Sequence, residues 1–350
     1  MRVVLDATPL LGVRTGIGRY VEGLLDGFAQ LEDPPELALA AFTHSRERPA
    51  VGTWVGRRLP ARMLHTAWGR VPFPPLEAIV GHADVFHGTN FVLPPRRSAA
   101  GVVTIHDLAF LLHADTVTPA VRRLKTLIPR LAQSADAVIT PTEAVADQVA
   151  EHLAVPRERI HAVHHGLDPR WATTAAPDTA WRRAHGLPSS YALFVGTLEP
   201  RKDLATLVAA LRRLGDSAPI LVLAGPAGWG PEVDLPAGTV RLGWVDDDVL
   251  RSTVAGADLL VLPSRDEGFG LPALEALACG TPVIASDLPA LREVLGDLAT
   301  YAPVGDADGF AAALSAPPAG TRLTRQAHAA AFTWKACAQR TLAVYAGATR

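Results

Sequence analysis

Two glutamates, Glu267 and Glu275, bracket the run Glu267-Gly268-Phe269-Gly270-Leu271-Pro272-Ala273-Leu274-Glu275. A hydrolase would use such a pair as acid and base, but a helix through both would hold them about 12 Å apart, whereas glycosidases want roughly 5.5 Å or 6.5–9.5 Å. The spacing suits two hydroxyl-bearing parts of one long ligand, since carboxylates accept hydrogen bonds from diols. Pro272 fits the start of a helix and Gly280 its end. Glu267 is then expected in the loop before it, and Glu275 one turn in on an otherwise apolar helix, where an acid needs a partner. Arg201 and Lys202 follow Val195-Gly196-Thr197-Leu198-Glu199-Pro200 at an expected strand end. A forked guanidinium beside a compact ammonium suits a diphosphate, although a solvated pair at a helix cap would read the same. Lys202 is one of three lysines, with Lys125 and Lys335, among 33 basic residues.

A third candidate is the loop Gly12-Val13-Arg14-Thr15-Gly16-Ile17-Gly18, read as joining the first strand to a helix from Arg19 to about Leu31. Its amides could meet an anion at the helix N-terminus, or the glycines could serve a tight turn alone. A dinucleotide fingerprint is weakened because Val21 stands where the third glycine belongs. His106 ends another expected strand and, taken alone, reads as a structural histidine bonded to a loop. His161, His164 and His165 read as loop histidines, without a fourth ligand for zinc. Asp246-Asp247-Asp248 looks like a metal motif but follows Gly-Trp-Val and opens a helix, where acids cap; no metal is expected. Arg57, Arg58, Arg62 and Arg70 interleave with Trp54, Trp68 and Phe73. That segment reads as a solvated helix face, with contact to an acceptor or an anionic membrane surface as the alternative.

Short apolar runs alternating with helical patterns position these residues, the sign of βαβ units. Strands are expected at Val3–Asp6, Leu37–Thr43, Val85–Gly88, Val102–His106, Ala137–Thr140 and Ile160–Val163, then at Tyr191–Val195, Ile220–Ala224, Val240–Leu242, Leu259–Leu262 and Pro282–Ser286. The expected fold is α/β, with two doubly wound Rossmann-like domains facing across a cleft. The first spans residues 1–170 and the second 191–330, joined by a linker at 171–190, and a helix at 331–350 returns to the first. A chain of 350 residues is long enough for two cores. Its 49% hydrophobic and 19% charged residues exclude disorder, and its net charge of −2 excludes a nucleic-acid footprint. Cys279 and Cys337 lack metal or redox spacing and read as packing residues. Neither a signal peptide nor a membrane span is expected, so the chain is expected in the cytoplasm, with peripheral contact to the inner membrane face left open.

The Glu267 to Glu275 spacing, the glycine-rich first loop and Gly-Thr-Leu-Glu-Pro-Arg-Lys together resemble the retaining GT-B glycosyltransferases of family 4, with their EX7E motif. His87-Gly88-Thr89-Asn90-Phe91-Val92-Leu93-Pro94-Pro95, Thr104-Ile105-His106-Asp107-Leu108 and Gly256-Ala257-Asp258-Leu259-Leu260-Val261-Leu262-Pro263-Ser264 extend the resemblance, particularly to bacterial mannosyltransferase-like members. It implies that Arg201 and Lys202 hold the donor diphosphate with the Gly16 and Gly18 loop closing on it. Glu267 would meet the donor sugar, Glu275 the ribose, and His106 the reacting sugar. Thr197, Val245, Gly268, Phe269, Gly270 and Leu271 would complete the donor site, with the base near Gly243 to Asp248. The implied activity is transfer of a hexose from a nucleotide-diphosphate sugar, GDP-mannose as the expectation, to a hydroxyl of a glycan, glycolipid or small molecule. Configuration would be retained and neither metal nor cofactor used. The alternatives are an epimerase or phosphorylase on the same fold, or a binding protein without turnover.

Overall fold

A computed structural model describes the chain except for residues 13–14, 44, 46–50, 57–58, 114–122 and 350. Among the described residues the strands are β1 (Arg2–Asp6), β2 (Glu36–Ala40), β3 (Thr53–Trp54), β4 (Val85–Gly88), β5 (Ala100–Thr104), β6 (Ala137–Thr140) and β7 (Ile160–Ala162), followed by β8 (Ala192–Val195), β9 (Leu221–Ala224), β10 (Val240–Gly243), β11 (Leu259–Leu262), β12 (Val283–Ser286) and β13 (Thr300–Ala302). Runs such as Ala192-Leu-Phe-Val195 are apolar throughout and buried on both faces, as parallel strands covered by helices must be. The first sheet has the order β3-β2-β1-β4-β5-β6-β7 and the second β10-β9-β8-β11-β12-β13, with parallel pairings. Each therefore reverses its winding once, between β1 and β4 and between β8 and β11, the points outside which open α/β sheets bind ligands.

Two compact units result. The first includes Met1–Leu111, Pro119–Gly166 and Phe332–Arg350, and the second includes Leu167–Ala331. The changeover lies at Gly166 rather than at residue 170, and residues 171–190 belong to the second unit instead of forming a separate linker. Trp171 explains why: its indole is buried in that unit, and its carbonyl takes a hydrogen bond from Cys279 Sγ at 3.3 Å. The helix Trp334–Ala348 packs on the helix Gly16–Ala29 of the first unit. Three glycines make room for its first residue. A Cβ on Gly23 would lie 2.0 Å from Trp334 Cε2, one on Gly27 2.1 Å from Trp334 O, and one on Gly166 2.2 Å from Trp334 N.

Several expected boundaries move. The first helix begins at Gly16, so Gly16 and Gly18 lie in its first turn rather than in the preceding loop, of which Val13 and Arg14 are outside the described residues. The second strand stops at Ala40 and the fifth at Thr104, leaving His106 two residues past a strand. β3 and β13 are additions at sheet edges, too short to show a period. In the arginine-rich segment Trp54 lies in β3 and Trp68 is a buried end of the helix Ala61–Trp68, so this is not one solvated helix face. Arg57 and Arg58 lie outside the described residues. His161 lies in β7, within the expected strand, which ends at Ala162 rather than Val163.

Candidate functional site

In the second unit the winding reversal brings two loops together. The loop after β8 carries Gly196 to Glu199 and a single turn, Pro200–Lys202; the loop after β11 carries Pro263 to Gly270. Lys202 Nζ lies 2.6 Å from Glu267 Oε1, and Ser264 Oγ donates to the same oxygen at 2.7 Å. Arg201 donates to Glu199 Oε1 at 2.9 Å and to the Asp266 carbonyl at 2.9 Å, while its Nη1 stands 3.7 Å from Glu267 Oε2. Backbone binds the loops as well, with the Arg265 amide donating to Arg201 O at 2.8 Å. Lys202 is 9% exposed and Glu267 8%. The cations therefore face the acid, and neither points into bulk water.

Such a pair is costly to bury and holds only when both charges are met. Burial by itself would raise the Glu267 carboxyl, but the charges of Lys202 and Arg201 and the hydrogen bonds from Lys202 and Ser264 outweigh it and hold the group below its ordinary range. The carboxylate is ionised, and it neutralises the cations beside it. Local backbone shapes the site too. Gly225, after β9, has φ 140° and comes so near β8's loop that a Cβ would lie 2.2 Å from Gly196 O. Gly270 (φ 81°) turns the chain into the helix Leu271–Cys279, with Pro272 in its first turn. Glu275, only 3% exposed, is carried on that helix. Phe269 and Gly268 are buried before it, and Leu271 and Thr197 are half-buried. Val245 lies half-buried between β10 and the helix Asp247–Gly256, whose N-cap Asp246 accepts from the Val249 amide at 2.9 Å. Asp246 thus acts as the expected cap.

The first unit offers neutral chemistry. Thr15 caps its first helix, accepting from the Gly18 amide at 3.4 Å. His106, 8% exposed, places Nε2 2.8 Å from the Thr89 carbonyl. A carbonyl only accepts, so this nitrogen carries the proton and the neutral ring leaves Nδ1 as an acceptor. Burial lowers the His106 pKa against the raising effect of that bond. His165 is buried beside it, and His164 meets Phe332. The residues sequence reasoning left without a role are Ser264, Glu199 and the pair Asp203 and Arg265, whose side chains approach to 3.1 Å. Ser264 and Glu199 stand inside runs already singled out, but a serine or an acid in a loop carries no local mark of its partner.

The family profile described as Glycosyltransferase Family 4 matches residues 14–171, and that of Glycosyl transferases group 1 matches residues 189–316. O-antigen chain mannosyltransferase B of Escherichia coli is 29% identical, the match covering 99% of this chain and 99% of that protein. D-inositol 3-phosphate glycosyltransferase of Streptomyces bingchenggensis is 30% identical over 95% of this chain and 76% of its own. Among solved structures, sucrose-phosphate synthase of Thermosynechococcus elongatus superposes with a TM-score of 0.76 at 20% identity, covering 99% of this chain and 98% of that one. HepE of Anabaena in complex with UDP-glucose gives 0.71 at 17%, covering 98% and 99%. The fold is that of the GT-B glycosyltransferases. The chain belongs to glycosyltransferase family 4 and is a glycosyltransferase.

Proposed function

We propose that this glycosyltransferase moves a hexose from a nucleoside-diphosphate sugar to an acceptor hydroxyl, with retention at the anomeric carbon and without a metal ion. The observation that carries the reading is the buried Lys202 and Glu267 pair at the β8 and β11 winding reversal, with Arg201 alongside. A departing nucleoside diphosphate gathers negative charge in the transition state, and fixed cations there stabilise it without reorganising. In this reading the diphosphate takes Lys202 and Arg201 from Glu267, whose released oxygens then accept from the donor's hydroxyls. Glu275 takes the ribose, and the amides of Gly268, Phe269 and Gly270 with Leu271, Thr197 and Val245 complete the donor site. The helix N-terminus at Gly16 and Gly18 receives an anion, which takes the Gly18 amide from its Thr15 cap, and His106 Nδ1 accepts from a sugar hydroxyl. A phosphate oxygen of the donor takes the acceptor's proton, so no protein nucleophile is required.

GDP-mannose is the donor we infer, its mannose supported by the mannosyltransferase name of the Escherichia coli relative; HepE has been solved in complex with UDP-glucose, so UDP-glucose is the competing donor. Acceptors would be hydroxyls of a glycan, glycolipid or small molecule, reached from the cytoplasmic side. Among the described residues no helix is long and apolar enough to cross a membrane. The test is a thermal-shift panel of GDP, UDP and ADP, since a ligand that binds the native state raises the melting temperature. Transfer assays with chelator present would follow, the product anomer read by NMR. Stabilisation by one diphosphate, lost in Lys202→Ala, with retained anomer, is expected. A Lys202→Ala chain that binds and transfers like the parent sinks the reading.

A further inference from the structure

A hydrogen-bond chain crosses the interior of the first unit. The Tyr345 hydroxyl lies 2.7 Å from His87 Nδ1, His87 Nε2 lies 2.7 Å from Thr104 Oγ1, and that oxygen lies 3.0 Å from the Tyr20 hydroxyl. All four side chains are buried, and they come from the C-terminal helix, β4, β5 and the first helix. Burial, then the neighbouring His106, push His87 down to about 3, so its ring is neutral, one nitrogen donating and the other accepting. A buried chain of this kind rigidifies its members, because breaking one link strands a buried polar atom.

The Tyr20 end of the chain meets His106. The two rings stand edge to face with centroids 5.1 Å apart, and Phe91 closes on His106 at 5.7 Å. His165 lies 4.6 Å from Tyr20 and 5.7 Å from His106, and itself stacks on Trp334 at 6.1 Å. Tyr20 is therefore fixed both through its hydroxyl and through its ring. It also belongs to the helix whose first turn holds Gly16 and Gly18.

We propose that Tyr20 is a positioning residue for His106: its ring, anchored through Thr104 and His87 to Tyr345, forms the wall that keeps the imidazole turned with Nε2–H on the Thr89 carbonyl and Nδ1 presented to a hydroxyl. The catalytic meaning of this rests on the His106 role proposed above, but the positioning itself does not.

The experiment labels the full chain with ¹⁵N-histidine and reads the His106 ring nitrogens by long-range NMR without ligand, the signals assigned through His106→Gln. The parent is expected to show one protonated and one bare nitrogen. Tyr20→Leu should move both signals toward averaged values, Tyr20→Phe should restore most of the separation, and Tyr345→Phe should shift it less than Tyr20→Leu. In parallel, GDP release from GDP-mannose should fall about tenfold in kcat for Tyr20→Leu, with KM within about twofold. Tyr191→Phe, which removes a buried hydroxyl bonded to Thr253 O in the second unit, controls for lost stability alone. Unchanged His106 signals in folded Tyr20→Leu overturn the proposal. If His106→Gln retains the parent kcat, the catalytic role of His106 falls, and the nitrogen signals alone still decide whether Tyr20 positions it.

Discussion

The two units wind their strands in the same order, yet their reversal points carry opposite chemistry. At β8 and β11 a carboxylate is buried against two cations, ionised and below its ordinary pKa. Around β1, β4 and β5 the buried polar groups include histidines held neutral by burial, the tyrosines packed on them, and Asp6, whose carboxyl burial raises rather than lowers. The same topology thus serves charge on one side and hydroxyl-directed hydrogen bonding on the other. The sheet order fixes where a site forms, whereas the loop residues fix what it can do.

The sharpest way to break this contrast is Glu267→Gln. It leaves Lys202 a buried cation with a weaker partner, so unfolding in urea should show a loss of roughly 3–5 kcal/mol, and initial rates of transfer should fall about 10²- to 10³-fold. Joining it to Lys202→Met should recover part of the stability but none of the activity, because an apolar replacement for a whole buried pair is tolerated better than half of one.

Acid should separate the units next. His87, lowered from 6.5 to about 3, contributes stability that is whole above pH 6.5 and drains away as pH falls toward 3, because the unfolded chain binds that proton first. Asp6, raised by burial to about 6 against its bonds from Thr8, works in the opposite sense and offsets part of this between pH 6 and 3.8. Glu267, lowered from 4.5, keeps its contribution until pH falls below that value. Each unit of pKa shift is worth about 1.4 kcal/mol. Hydrogen exchange followed against pH should therefore show protection lost in β4 and β5 before β8 and β11; the reverse order would erase the contrast. Smaller still, Tyr345→Phe should cost about 1–3 kcal/mol by stranding His87 Nδ1. The least is Asp246→Ala, about 1 kcal/mol for a lost helix cap, with both reversal points untouched. Thermal melts check both.

Much of this arrangement was legible along the chain because it is local. Lys202 stands out in an arginine-rich composition, Pro272 and Gly280 bound the helix of Glu275, and uniformly apolar runs mark the parallel strands. What escaped is what depends on distant partners or on very short elements. His87 and Tyr345 are 258 positions apart, and nothing near either announces the other. Thr53–Trp54 and Thr300–Ala302 hold too few residues to display alternation. The prolines of residues 168–190 resemble a linker, while the burial of Trp171 that assigns the stretch to the second unit is a tertiary fact.

The seat that Gly23, Gly27 and Gly166 make for Trp334 has a bearing on biosynthesis. Translation completes Leu167–Ala331 before the residues that close the first unit emerge, so the part made earlier matures later. During that interval the helix Gly16–Ala29 lacks the partner for which Gly23 and Gly27 leave room.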